Sequence, residues 1–244
     1  MSKPGRKNNP MNRIVNTTPY ASGEYDVNVR RTIPFYEEFH RQAVELVRLV
    51  NPQPRLWLDT GCGTGYLVSR ALESFAGTRF ILADPSAGML HKARERLQGV
   101  SSSISFIEQP TGPQLAAALP DHPDVVTAMM CHHYSSLVER RCITEEVYKL
   151  LAPGGLYVTF ENIRPASDRA TQLALEQWRA FQLGQGRSAE TVQTHLDRFD
   201  RAYFPITVQE HLNLLHDCGF SEAHLLWHST MQAGFYAIKE KGTP

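Results

Sequence analysis

The sequence predicts a doubly wound α/β fold, in which helices cover both faces of a mostly parallel sheet. Three observations support this prediction. Apolar strand-like runs alternate with amphipathic stretches through five consecutive units, as helical crossovers between parallel strands require. Several of these runs are almost continuously apolar, which is typical of strands buried on both faces. The last two runs are separated only by residues 230–232, so they are expected to pair as an antiparallel hairpin.

The first part of the chain is polar and is punctuated by Pro and Gly, which predicts a flexible arm over residues 1–30. An amphipathic helix is expected next. Thr32 is a candidate cap, Pro34 suits the first turn, and apolar residues recur at helical spacing as far as Val50. Pro52 ends this helix.

Residues 31–244 are predicted to form one domain around seven strands. The strands are expected at 55–59, 78–84, 103–108, 124–130, 155–161, 223–229 and 233–239. Helices are expected at 65–75, 86–97, 112–119, 139–151, 167–183 and within 205–220. Residues 184–206 carry several charges and interrupt the alternation, so they are interpreted as a small helical cap.

The composition excludes some functions. Lys and Arg number 25, as do Asp and Glu, so the formal net charge is zero and gives no general attraction to nucleic acid or anionic lipid. No apolar run is long enough to span a membrane and the start has no secretory signal, so a cytoplasmic protein is expected. The four cysteines lack CxxC spacing, which predicts neither a metal site nor a disulfide framework.

A glycine-rich turn follows the first predicted strand. Gly61, Gly63 and Gly65 lack the Cβ that would keep a ligand away from the backbone. Dinucleotide loops read GxGxxG, whereas this loop reads GxGxG and has Asp59 two residues before it. A carboxylate there would repel a pyrophosphate but could hold an ammonium group. S-adenosylmethionine carries an ammonium group and no phosphate, so this cofactor is predicted, and a nicotinamide-dependent oxidoreductase is the least favoured alternative.

A second acid, Asp84, ends the second predicted strand. A carboxylate at this place can accept hydrogen bonds from two ribose hydroxyls, a role that dinucleotide folds share. Two alternatives remain open: Asp84 could cap the helix that starts at Ser86, and Asp59 could be a turn residue.

With these motifs the chain resembles the class I S-adenosylmethionine-dependent methyltransferases over about residues 30–240. The matching stretches are LDTGCGTG, the acid after strand two, DVVTAMMCHHYSSL and LLAPGGLYVTFE. The resemblance implies a Rossmann-like fold with an antiparallel last strand, S-adenosylmethionine as cofactor and S-adenosylhomocysteine as product. It implies cofactor contacts by the glycine loop and by the ends of strands two and four: Asp59, Gly61, Cys62, Gly63, Gly65, Asp84, Pro85, Met89, Met129, Met130 and Cys131.

One stretch departs from that family. An acid that contacts adenine often follows strand three, whereas this chain has Gln109, Pro110 and Thr111 there. Adenine is expected to contact these residues instead.

The flanking segments 25–36 and 218–239 look similar to carboxy-S-adenosylmethionine synthase, a member of the same fold. That similarity implies that Tyr36 contacts the cofactor; packing in the core is the alternative. The arginine that binds the extra carboxylate in that enzyme has Leu196 opposite it, and Arg198 or Arg201 only after a shift. A carboxylated cofactor, with a link to tRNA modification, therefore remains an alternative.

Methyl transfer needs alignment first, and a general base only where the acceptor must lose a proton. The candidate catalytic residues are His132 and His133 after strand four, and Glu161 at the end of strand five, where a parallel sheet opens its ligand crevice. A wall histidine that only donates a hydrogen bond, or a Glu161–Arg164 pair, would be the structural alternatives.

The arm and the cap would complete the site. Tyr25 and Tyr20 are expected to fold over the sulfonium, since a cation suits an aromatic face. Arginines in 184–206 favour an anionic small-molecule acceptor, and a solvated helix face is the alternative explanation. A tRNA partner is not excluded, a monomer or a homodimer is expected, and a non-catalytic cofactor-binding protein is a further alternative.

Overall fold

The computed structural model describes residues 20–100, 103–109 and 111–241. These residues form a seven-stranded sheet with the order β3-β2-β1-β4-β5-β7-β6. The strands are β1 Leu56–Thr60, β2 Arg79–Ala83, β3 Ile104–Ile107, β4 Val125–Met129, β5 Leu156–Asn162, β6 Glu222–Ser229 and β7 Gln232–Ile238. The pairs among β1 to β5 are parallel, and β7 runs antiparallel to both β5 and β6. The predicted fold class and all seven predicted strands are confirmed.

Alternate strand residues point to opposite sides of this sheet, and both sides carry apolar side chains. Helices therefore cover both faces. Trp57 and Phe160 belong to one core, and Leu58 and Tyr157 to the other. The helices are α1 Tyr25–Thr32, α2 Tyr36–Val50, α3 Tyr66–Ala71, α4 Ala87–Arg96, α5 Pro113–Ala118, α6 Leu137–Leu150, α7 Asp168–Gly184, α8 Ala189–Leu196 and α9 Val208–Asp217. A 3₁₀ turn at His132–Tyr134 follows β4. None of the described helices is long and apolar enough to cross a membrane.

The arm differs from its prediction. Its boundary was predicted at residue 30, but the chain is helical from Tyr25, and Val29 is only 4% exposed within the core. The polar composition concealed this helix, because its docking depends on the side chain of Asp26 as well as on apolar burial. The expected flexibility of residues 1–19 lies outside the described residues.

The break between the first two helices was also missed. Thr32 was predicted to cap the helix that ends at Val50, but its hydroxyl donates to the carbonyl of Asn28 at the end of α1. Phe35 precedes α2 in a left-handed conformation, with φ 57°. This conformation is uncommon for a bulky residue and ends one helix before the next begins.

The predicted cap contains α8 and an irregular segment that returns to the sheet. The backbone N–H of Phe204 donates to the carbonyl of His133 at 2.7 Å, and that of Arg164 donates to Ile206 at 3.1 Å. These bonds fasten the segment across the carboxyl ends of β4 and β5, where parallel sheets place their ligands.

Candidate active site

The glycine loop runs from β1 to α3 in a conformation that glycine favours. Gly61, Gly63 and Gly65 have φ values of 63°, 54° and 73°. A Cβ on Gly61 would lie 2.6 Å from the Cβ of Cys131, so the loop packs directly on the end of β4. A Cβ on Gly63 would meet nothing within 4 Å among the described residues. The loop is thus fixed on one side and exposes its backbone on the other.

Asp84 organises this loop from the end of β2. Its carboxylate accepts hydrogen bonds from the backbone N–H groups of Gly63 at 2.9 Å and Ser86 at 2.8 Å. Burial raises its pKa, and these two bonds partly oppose the rise. The helix cap is Ser86, whose hydroxyl accepts from the N–H of Met89. Each carboxylate oxygen of Asp84 therefore keeps a lone pair for a ribose hydroxyl.

Asp59 is a buried carboxylate at the centre of the sheet. It is 1% exposed, and its Oδ1 accepts a hydrogen bond from the Thr127 hydroxyl at 2.7 Å. That hydroxyl in turn accepts from the indole N–H of Trp57. Burial raises the pKa of Asp59 to about 7, and the charge of Asp84 adds to the rise. A bound ammonium group would relieve the cost of this buried charge.

Helix α1 is held against the loop by a cluster of three polar side chains, Asp26, Thr64 and Arg96. The carboxylate of Asp26 accepts from the Thr64 hydroxyl at 2.8 Å and from Nη2 of Arg96 at 2.5 Å. Arg96 also donates to the Thr64 hydroxyl, so the three side chains form a closed triangle. The contact brings Tyr25, the first residue of α1, over the end of the sheet.

A cavity opens between α1, the ends of β4 and β5, and the cap, and it reaches Met130, the neighbour of the Cys131 on which the loop packs. Its empty volume is about 430 Å³, including its opening to solvent. Met130 lines it at the end of β4, and four tyrosines supply much of its wall: Tyr20, Tyr25, Tyr134 and Tyr203. The cap adds His195 and Arg198. Among the described residues, Nδ1 of His195 and the hydroxyl of Tyr203 are buried without a hydrogen-bond partner. Polar groups in this state indicate a ligand or ordered water.

His133 presents its ring to this cavity and is held from behind by Glu161. Its Nδ1 lies 2.7 Å from Oε2 of Glu161, and its Nε2 lies 3.2 Å from Nδ2 of Asn162. Burial alone would raise the pKa of Glu161, but the hydrogen bond with His133 and the positive charge of Arg140 act against burial and lower it. The ionised carboxylate thus fixes the proton of His133 on Nδ1 and leaves Nε2 as an acceptor.

His132 points away from that cavity. Its Nδ1 lies 3.1 Å from the hydroxyl of Tyr157, on the other side of the sheet, and burial lowers its pKa to about 4. The two neighbouring histidines therefore serve different cavities. The proposed Glu161–Arg164 pair is absent from the described residues, because Arg164 forms its ion pair with Asp200.

The remaining predicted residues have varied places. Tyr36 is 6% exposed and its ring packs against those of Phe39, His40 and Tyr66, which fits its core alternative. Met89, Met129 and Cys62 are buried, Pro85 and Thr111 are half-buried, Gln109 is exposed, and Pro110 lies outside the described residues.

Cys131, His132 and Glu161 bring potential metal-ligand atoms within 4.8 Å of one another. Both oxygens of Glu161 already accept hydrogen bonds from protein donors, and burial raises the pKa of the Cys131 thiol. This group is therefore poorly suited to a metal.

Sequence reasoning missed His195 and Tyr203. Neither follows a strand, and the cap has no periodic pattern that would orient their side chains. The only signal was their position in the segment 184–206, between the fifth strand and the last helix.

Comparison with known proteins agrees with this geometry. Residues 58–157 match a family model described as a methyltransferase domain. This stretch is a methyltransferase domain, in agreement with the predicted S-adenosylmethionine-dependent family. The match to the methyltransferase model runs from the middle of β1 to the start of β5, and therefore includes the glycine loop, Asp84 and His133 but not Glu161.

Similar proteins extend beyond the methyltransferase domain model. The carboxy-S-adenosyl-L-methionine synthase of Campylobacter lari is 24% identical over 196 residues, covering 80% of this chain and 82% of that protein. The enzyme of the same name from Trichodesmium erythraeum is 28% identical over 200 residues, covering 81% and 78%. An O-methyltransferase family protein from Burkholderia thailandensis superimposes with a TM-score of 0.63 at 14% identity, covering 84% of this chain and 57% of that chain.

Proposed function

We propose that the protein transfers the methyl group of S-adenosylmethionine to a hydroxyl or amine of a small molecule in the tyrosine-lined cavity. One observation carries this proposal: the cavity that begins at Met130, beside the glycine loop, also contains a histidine held by a buried carboxylate. Cofactor and acceptor would then meet at the end of β4.

When bound, S-adenosylmethionine supplies an activated methyl group, so the chain has to provide alignment and, for a hydroxyl, a base. Asp84 would hold the ribose, and Asp59 the ammonium group. His133 would accept the acceptor's proton on Nε2, in place of its contact with Asn162. Glu161 would stabilise the imidazolium that forms.

The test separates cofactor binding from transfer. Isothermal titration with S-adenosylmethionine should show binding to the wild type and to His133→Asn, and a large loss for Asp84→Ala. Methyl transfer to a panel of small phenols, catechols and amines should fall about 10²-fold or more in His133→Asn. The matched control is His224→Asn on the exposed surface of β6. No binding to the folded wild type would refute the proposal, and binding with equal turnover by all variants would remove the role of His133.

The cap favours an anionic acceptor. Of its three arginines, only Arg198 lines the cavity among the described residues, whereas Arg187 donates to Thr32 and Gln182, and Arg201 is exposed. The ring of His195 is uncharged, because burial and the nearby arginines lower its pKa to about 3. Arg198, together with N–H or O–H donors from His195 and Tyr203, would suit a carboxylate.

Arg198→Gln should raise the KM of a hydroxy acid more than that of the matching amide, and Arg201→Gln should change neither. An equal effect on both substrates would contradict a charge contact.

A second candidate is a carboxy-S-adenosylmethionine synthase-like activity, which the two named relatives and an arginine in the cavity favour. The GCGTG loop and the buried Leu196 do not favour it. Mass spectrometry of nucleosides extracted from the purified protein would separate the two, because the synthase-like activity should leave a carboxylated sulfonium.

A further inference from the structure

A second cavity lies on the opposite side of β5 from the proposed acceptor site. Its empty volume is about 230 Å³ when its opening to solvent is included. The enclosed part has room for about one water-sized particle. It is enclosed by β5, the 3₁₀ turn, α6 and α9. Its polar wall includes His132, Arg140, Tyr157, Glu161 and His211.

Three nitrogen atoms of this wall have no hydrogen-bond partner among the described residues. They are Nη1 of Arg140, Nε2 of His132 and Nε2 of His211. The three side chains are 1%, 6% and 4% exposed, so bulk water does not solvate them. Unpaired buried donors are costly, and three at one cavity indicate a shared acceptor.

The positive charge of Arg140 indicates that this acceptor is negatively charged. Its guanidinium donates to the backbone carbonyls of His132 at 3.2 Å and Phe204 at 2.7 Å. No carboxylate among the described residues forms an ion pair with it. A buried cation without a direct counter-ion is unfavourable unless an anion or a network of polar groups compensates it.

The other polar groups of the wall are already engaged. The charges of Glu161 and Glu210 both act on Arg140. The carboxylate of Glu161 accepts from the N–H groups of His132 and His133, from Nδ1 of His133 and from the hydroxyl of Thr159, and that of Glu210 accepts from Thr207 at the start of α9. The Thr144 hydroxyl donates to the carbonyl of Arg140. In the tautomer in which the Tyr157 hydroxyl donates to Nδ1, His132 carries its proton on Nε2 and can donate to the cavity. The cavity therefore offers the unpaired donors and the positive charge of Arg140, while the negative charge of Glu161 in the same wall is held by its own four donors.

We propose that this second cavity binds a small monovalent anion of about the size of chloride, held by Arg140, His132 and His211. The anion ties α6 and α9 to the turn that carries His133. It lies outside the acceptor cavity, so the proposal does not depend on the methyltransferase activity.

Bromide identifies the site directly. Crystals of the full chain grown with sodium bromide should show an anomalous peak between the guanidinium and the two imidazoles. Density for a water molecule alone, without an anomalous peak, would overturn the proposal.

Thermal unfolding tests it in solution. At constant ionic strength, replacing gluconate by chloride from 1 to 100 mM should raise the unfolding midpoint by roughly 5–9 °C for a millimolar site. His211→Phe keeps the ring that stacks on Phe235 at 4.5 Å but removes the nitrogen, so the chloride effect should disappear. His216→Phe, an exposed position of the same helix, should retain it. Equal midpoints in both salts, or an unchanged chloride effect in His211→Phe, would refute the site. His211→Phe is preferred to an Arg140 variant, because Arg140 also holds two carbonyls and its loss could prevent folding.

Discussion

Two buried carboxylates have net pKa shifts in opposite directions, although burial alone raises the pKa of both. Glu161 has enough donors to remain charged, with its pKa lowered to about 2 despite burial, whereas burial raises the pKa of Asp59 to about 7. The difference lies in their partners. Glu161 accepts from a histidine, two backbone N–H groups and a hydroxyl, whereas Thr127 is the hydrogen-bond partner that lowers the pKa of Asp59. The charge of Glu161 is thus stabilised by the protein alone, whereas the ionised form of Asp59 would be stabilised by a cationic ligand.

Replacing Glu161 by Gln should destabilise the protein. The amide nitrogen would face donors that now point at a carboxylate oxygen, which costs about 3 kcal/mol in the free energy of unfolding. Urea unfolding at neutral pH measures this loss. Glu176→Gln, an exposed position on α7, should change the free energy by no more than a few tenths of a kcal/mol. Equal stability of the two variants would show that Glu161 is not charged in the folded protein.

Cofactor affinity should depend on pH through Asp59. A raised carboxyl pKa means that the folded protein disfavours the ionised form, so its contribution to stability declines as pH rises from about 4 towards 7. A bound ammonium group favours the ionised form and lowers the pKa. Affinity for S-adenosylmethionine should therefore fall by up to about tenfold per pH unit below about 7. Calorimetric titrations between pH 5.5 and 7.5 test this. Asp59→Asn should bind more weakly and lose the pH dependence, and an unchanged slope in that variant would exclude Asp59 as its source.

At the scale of elements, α1 and the glycine loop form one unit. The loop contributes Thr64, α4 contributes Arg96, and α1 contributes Asp26. The same helix carries Tyr25 to the cavity wall. We therefore expect ligand entry to depend on how firmly α1 docks, because elements of low local stability open first.

Asp26→Asn should loosen α1 without unfolding the sheet. The asparagine keeps the shape but removes the charge that Arg96 contacts, so hydrogen exchange of the α1 amides should accelerate roughly tenfold. Glu37→Gln removes a more exposed partner of Arg30 and is the matched control. Faster exchange across all strands as well would indicate global destabilisation and contradict a local role.

At the scale of the whole molecule, much of the fold follows from periodicity. The strands were predictable because their apolar runs are long and bounded by turns. α1 was not, because its docking depends on the distant residues Thr64 and Arg96. The glycine loop and Asp84 could be found as motifs. The separation of His132 from His133 depends on a 3₁₀ turn, and the contribution of the cap depends on tertiary packing that has no local pattern.

The fold also predicts which adenosine-containing cofactor stabilises it. S-adenosylmethionine at about 100 times its Kd should raise the unfolding midpoint by roughly 5–10 °C. S-adenosylhomocysteine should act similarly, because it retains the ribose and the ammonium group. NAD⁺ at the same concentration should have no effect, since its pyrophosphate would meet Asp59. Differential scanning fluorimetry distinguishes these ligands, and a shift with NAD⁺ alone would reverse the cofactor assignment.

The cap joins the sheet partly through main-chain atoms: Phe204 donates to His133, and Arg164 donates to Ile206. Backbone bonds of this kind do not depend on side-chain identity, so a related segment that keeps the core contacts of Val192 and Leu196 and the ion pair of Asp200 could replace this one. Grafting residues 184–206 from a homologue should therefore transplant substrate preference while leaving the donor unchanged, which makes this segment the natural place to engineer new alkylation chemistry.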